Sequence, residues 1–253
     1  MTALQTIIVA FSMFSALPMP QIEWNSRNMR YSLCAFPLVG AVIGGVCWLW
    51  VRLCGILALP VELRGAGLCL IPVLLTGGIH LDGYADTCDA LASHAEPSRK
   101  REILKDPHLG AFAAIRLGVY FVASFALWTA LPKYPGWAML CAFCLSRTLS
   151  ALALTAFPLA QGSGLARSFA EAADRRRVRT ILTVCAAFLC IAISFCGGWT
   201  MAAAAVLAFL YYRHMARTQF GGLSGDLAGW FLQTAELWML GALVFAEYVE
   251  ALL

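Results

Sequence analysis

Residues 33–55 read LCAFPLVGAVIGGVCWLWVRLCG, an apolar run broken by a single charge, Arg52. A helix crossing the hydrocarbon core of a bilayer needs roughly 20 predominantly apolar residues, so this segment is long enough to span. Comparable runs lie at 3–19, 62–80, 111–131, 136–158, 180–197, 199–213 and 228–251. The first is short and ends in Leu17-Pro18-Met19-Pro20, so it either spans or dips into one leaflet. The run at 199–213 is also short. Only Gly197 and Gly198 separate it from the run before, the pattern of a tight helical hairpin. The expected fold is all-α: a polytopic transmembrane helical bundle of seven or eight helices, in a single integral-membrane domain over residues 1–253.

Composition supports that reading. The 253 residues are 61% hydrophobic and 13% charged, against about 45–50% apolar and about 25% charged in soluble domains. A globule of this length cannot hide such an excess, because a folded domain still exposes a large surface; lipid is the expected contact. The net charge of +4 is small, and no nucleic-acid partner is expected. Arg27, Arg30, Arg99, Lys100, Arg101, Lys105, Arg167, Arg175, Arg176, Arg177, Arg179, Arg213 and Arg217 fall in alternate gaps between the runs. The other gaps and their edges hold Arg52, Arg64 and Lys133. Lys and Arg are enriched in cytoplasmic loops, so the first set should face the cytoplasm. The cluster at 175–179 reads first as a topology determinant touching anionic head groups, and second as a substrate contact.

Most of the ten cysteines lie in apolar runs and read as small hydrophobes. Cys141 and Cys144 form a CxxC without a second pair or a histidine nearby, so a structural role is expected. The stretch Leu4–Leu17 has no basic segment before it and no small-residue cleavage site after it, and is expected to remain in the mature chain.

One polar stretch stands out: Thr76-Gly77-Gly78-Ile79-His80-Leu81-Asp82-Gly83-Tyr84-Ala85-Asp86-Thr87-Cys88-Asp89. Asp82, Asp86 and Asp89 stand at i, i+4 and i+7, which share one face of a helix. Like charges at this spacing repel, so three carboxylates beside lipid call for a compensating cation. Mg2+ is the best match, since it takes oxygen ligands from one or two carboxylates and completes its shell with water and substrate phosphate. The competing reading is an acidic helix start at the positive end of the helix dipole, which accounts for Asp82 better than for the other two. Gly77, Gly78 and Gly83 permit close backbone approach to a ligand, although glycines also end helices.

Two further segments carry chemistry. In Glu102–Gly110, Lys105 could neutralise a phosphate and Asp106 could be a ligand or a base; the competing reading is a turn with Pro107 initiating the next element. In Gly221–Gly229, Ser224 and Asp226 stand among glycines just before the last run. Arg147 interrupts an apolar run; such a charge is costly and usually functional. It should pair with a carboxylate, with Glu236 as candidate, or with a phosphate.

These segments together resemble the cobalamin synthase (adenosylcobinamide-GDP ribazoletransferase) family. The likeness includes Leu17-Pro18-Met19-Pro20 and Phe36-Pro37-Leu38-Val39-Gly40 with Gly44. Above all it rests on Gly77–Asp89, and it continues through Lys105-Asp106, Gly110 and Gly221–Asp226. Tyr84, Ala90 and Ala113 depart from the family pattern beside the carboxylates. The resemblance implies a Mg2+-dependent transferase of the bacterial inner membrane, active at the cytoplasmic face. It would join adenosylcobinamide-GDP to alpha-ribazole, or to its 5′-phosphate, and release GMP, the last nucleotide-loop step of cobalamin biosynthesis. On that reading Asp82, Asp86 and Asp89 hold the metal. His80, Lys105, Asp106 and Asp226 join them in catalysis, while Gly77, Gly78, Gly83, Gly110, Arg147 and Ser224 bind substrate. Other cobalamin-pathway enzymes and a second copy of the chain are candidate partners. Two alternatives stay open on the residues alone: a transporter with a cytoplasmic acidic cation site, and a CDP-alcohol phosphotransferase, whose Asp-Gly-x-x-Ala-Arg continuation has Asp86 in place of the Arg here.

Overall fold

A computed structural model describes residues 2–160 and 164–252, and among them every regular element is helical. The helices are α1 (Thr2–Phe14), α2 (Ser26–Met29), α3 (Ser32–Ile56), α4 (Val61–Thr76), α5 (Ile79–Ala92), α6 (Pro97–Ile103), α7 (Ala111–Ala130), α8 (Gly136–Ala156), α9 (Gly164–Ala172), α10 (Arg175–Phe195), α11 (Trp199–Phe220) and α12 (Gly225–Leu252). Each of the eight apolar runs is mostly helical, although α1 stops at Phe14, short of the end of the 3–19 run. Helices α3, α7, α8, α10 and α12 are each long and apolar enough to cross a membrane. The run at 62–80 is not one straight span, because it breaks between α4 and α5 with a bend of 97°. Counting that bent pair as one crossing gives six, against the seven or eight expected. The difference lies in α1, which has 13 residues, and α11, whose second half carries Arg213, His214 and Arg217.

Helix α8 is the axis of the bundle, with 83% of its apolar window buried against 22% for α7 and 28% for α10. Gly40 and Gly44 make a GxxxG face on α3, and small residues at this spacing let helix backbones approach closely. A Cβ on Gly44 would stand 2.7 Å from Leu140 Cα, and one on Gly40 would overlap the Phe143 carbonyl. Outside the core, Ile115, Val119 and Val122 on α7 and Ile181, Val184, Phe188, Ile191 and Phe195 on α10 form exposed apolar stripes. These are lipid-facing surfaces. All ten cysteines are free, as the apolar surroundings of most of them led one to expect.

Arg147 is fully buried in α8. Of the two partners expected for it, the carboxylate is the one found. Its guanidinium donates to Glu236 of α12 and to Ser146 Oγ at 2.9 Å, and its Cζ lies 5.6 Å from the Phe143 ring centroid. The pairing accounts for a charge inside the bundle without calling on a substrate, because Glu236 already neutralises it. Removing one member of a buried pair leaves an uncompensated charge, at a cost of roughly 3–5 kcal/mol. Arg147→Met and Glu236→Leu should each lower the unfolding temperature in detergent sharply, and the double substitution should recover much of the loss.

Candidate active site

The bend at Gly77-Gly78 creates the site. Both glycines are left-handed, with φ of 64° and 79°, a conformation that costs glycine little. Their amides close α4, donating to Leu74 O at 3.3 Å and Val73 O at 3.0 Å. They are therefore not free to receive a phosphate, and these two residues form the hinge rather than a substrate cradle. Beyond the hinge, α5 turns aside and lies against the start of α12.

That crossing is as close as backbones allow. A Cβ on Gly83 would stand 2.7 Å from Asp226 O, and one on Gly229 would stand 2.7 Å from His80 O. With glycine on both helices, Asp82 and Asp226 face a common cavity of about 330 Å3. Gly83 thus serves helix packing, not ligand contact. Ser224 precedes α12, and its Oγ accepts from Leu227 N at 3.3 Å, satisfying an otherwise orphaned amide of the first turn.

The cavity has two walls. One is polar and combines Asp82, Asp226 and Ser224 with Arg101 and Lys105. The other is apolar and includes Phe14, Phe36 and Phe169. Phe14 and Phe36 stack with centroids 4.0 Å apart, and Phe14 and Phe169 lie 5.7 Å apart. His80 also lines the cavity, with its ring 5.7 Å from that of Phe36. Its Nε2 is buried and has no hydrogen-bond partner among the described residues.

The three carboxylates of α5 do not act as one set. Asp86, one turn beyond Asp82, does not line the cavity but feels the charges of Asp82, Asp226 and Asp89. Asp89 points at the start of α7. Its Oδ1 lies 3.4 Å from Ala113 N, and its carboxyl fills the space a Cβ on Gly110 would need. A carboxylate there is stabilised by the helix dipole, which gives Asp89 a structural role and makes Gly110 its socket. Among the described residues no three His, Cys, Asp or Glu side chains are grouped to hold one ion. Asp106 is exposed and accepts from His108 N at 3.0 Å, with His108 Nδ1 2.7 Å away. These contacts hold its carboxyl below the usual range, and it lies off the cavity wall. Of the sequence candidates, the structure therefore collects His80, Asp82, Lys105, Ser224 and Asp226, and leaves out Gly77, Gly78, Gly83, Asp86, Asp89, Asp106, Gly110 and Arg147. Sequence reasoning placed Arg101 only among the basic residues of the cytoplasmic side and Phe36 only in the family-like string Phe36–Gly40, and it missed Phe14 and Phe169, so the aromatic wall was not assembled. Its members come from α1, α3 and α9.

Gly83→Ala and Gly229→Ala should each force α5 and α12 apart. Overpacking typically costs about 1–3 kcal/mol, and a drop in unfolding temperature of purified protein checks it.

The cobalamin-5-phosphate synthase family profile matches residues 6–244. A relative from Lachnoclostridium phytofermentans, named adenosylcobinamide-GDP ribazoletransferase, is 42% identical, covering 97% of this chain and 95% of its own length. Relatives of the same name from Pseudomonas putida and Desulfitobacterium hafniense are 34% and 33% identical, covering 91% and 96% of this chain and 94% and 98% of their own lengths. No solved structure matches the chain.

Proposed function

The chain belongs to the cobalamin-5-phosphate synthase family, and on that premise we propose that it transfers the cobinamide phosphate of adenosylcobinamide-GDP to alpha-ribazole or its 5′-phosphate, releasing GMP. Family membership speaks against both the transporter and the CDP-alcohol phosphotransferase readings. The observation that carries the proposal is the cavity itself, whose lining brings together two carboxylates, Asp82 and Asp226, and two cations, Arg101 and Lys105. A diphosphate needs positive charge around its oxygens, and phosphoryl-type transfer is mainly positioning and electrostatic stabilisation.

The donor set fits Mg2+ in its usual protein form: one or two carboxylates, the rest of the shell being water and substrate phosphate. Asp82 and Asp226 are the residues that would hold it, with Asp86 reinforcing the negative field and Asp89 outside the set. Bound there, Mg2+ would neutralise charge on the diphosphate and on the leaving GMP.

The remaining groups have separable tasks. Arg101 and Lys105 hold phosphate oxygens. The aromatic wall takes a flat heterocycle. His80 accepts the proton of the ribose 3′-hydroxyl as its oxygen bonds to the cobinamide phosphorus. The bond from that phosphorus to the bridging oxygen breaks, and its electron pair leaves with GMP. Small-molecule clefts run from about 300 to 1,000 Å3, so a cavity at the low end suits a nucleoside-sized group. The corrin ring then stays outside, at the mouth. The alternation of Lys and Arg along the chain supports a cytoplasmic mouth in a bacterial inner membrane.

Asp82→Asn and Asp226→Asn should each abolish GMP release in purified, detergent-solubilised enzyme, and EDTA should do the same to the parent until Mg2+ is restored. Asp89→Asn should lower stability more than turnover. His80→Gln should reduce kcat by about 10²–10⁴-fold, the usual range for a lost acid–base group. Near-normal turnover in Asp82→Asn or Asp226→Asn would remove that residue from the metal site.

A further inference from the structure

A second cavity, of about 610 Å3, shares no lining residue with the first and is bounded by residues 155–159 and by Arg167, Arg175 and Arg179 with a single carboxylate, Glu171. Two of the arginines are held in place by the backbone. Arg179 Nη2 donates to Thr155 O at 2.5 Å, and Arg167 Nη2 donates to Ala160 O at 3.2 Å. Arg167 also lies 3.6 Å from Glu171. Arg175 has no partner among the described residues. Three guanidinium groups from two helices thus converge on an open cleft with a net excess of positive charge. Phe157, Pro158 and Ala170 add apolar lining to it.

Position narrows the ligand. The same helix that supplies Arg175 and Arg179 turns apolar at Ile181 and presents Ile181, Val184 and Phe188 outward to lipid. The cleft therefore sits at the boundary between water and hydrocarbon. Guanidinium groups match phosphate oxygens through paired N–H donors, and basic pockets at this depth receive anionic lipid head groups.

We propose that Arg167, Arg175 and Arg179 form a phosphate-ester site, separate from the transferase cavity, that seats the head group of an anionic phospholipid. The reading is independent of the reaction assigned above, since it uses none of the residues placed in that cavity.

The test uses the full chain in detergent micelles. Binding of fluorescent phosphatidylglycerol and of phosphatidylcholine is measured for the parent, Arg175→Gln, Arg175→Lys, Arg179→Gln and, as a control remote from the cleft, Arg99→Gln. The expected result is preference for phosphatidylglycerol in the parent and at least a tenfold weakening in Arg175→Gln and Arg179→Gln. Arg175→Lys should bind at an intermediate level, and Arg99→Gln should bind as the parent does. Arg175 anchors nothing in the fold, so its variant reports on binding even where Arg179→Gln unfolds. Ribose 5-phosphate is added as competitor. Failure to displace the lipid at millimolar concentration supports the head group as ligand. Arginine-dependent binding of ribose 5-phosphate without lipid preference overturns the lipid assignment in favour of a soluble phosphate monoester. Unchanged lipid binding in Arg175→Gln overturns the site.

Discussion

Two glycines, one on each side of a helix crossing, govern this structure. Gly83 on α5 and Gly229 on α12 each face a backbone carbonyl at a distance that leaves no room for a Cβ. Any larger residue would separate the two helices, and with them Asp82 and Asp226. Carboxylates repel, so bringing them to one cavity requires packing energy from elsewhere. It comes from the buried apolar length of α12, whose position against α8 is also fixed by an ion pair. The pair lies between Arg147 and Glu236, ten residues beyond Asp226 along α12. The acidic end of the helix is thus fixed by its apolar body.

A division of labour follows among residues that look alike in the sequence. Asp82, Asp86 and Asp89 share a helical face, yet only Asp82 opens on the cavity. Asp89 is taken up by the start of α7, in the space that Gly110 leaves, and Asp86 stands between. The partner for Asp82 comes from 144 positions later in the chain, on α12. Likewise Arg147, the most conspicuous intramembrane charge, serves the bundle, while Arg101 in a short interfacial helix reaches the cavity.

The helical class and the approximate limits of every apolar run were legible because hydrocarbon imposes a length and a composition that a sequence displays directly. Glycine positions were legible as places of close approach, though not what would approach them. The i, i+4, i+7 spacing of the aspartates placed them on one face and overstated their unity, since a shared face does not fix what each residue meets along it. At Gly77-Gly78 a helix end was legible as an alternative, but the 97° bend was not, because hydropathy averages over a window and is blind to a change of direction within it. Phe36 was visible only as part of the string Phe36–Gly40, and Phe14 and Phe169 not at all, because only tertiary packing of α1, α3 and α9 makes them one wall.

The sharp turn after α4 also has a cost for the surrounding lipid. Helix α4 has 16 residues, which at about 1.5 Å per residue gives a rod of about 24 Å. The hydrocarbon core is about 30 Å thick. The shortfall must be met by neighbouring helices covering the end of α4 or by acyl chains compressing around it, each at a modest cost per ångström of mismatch.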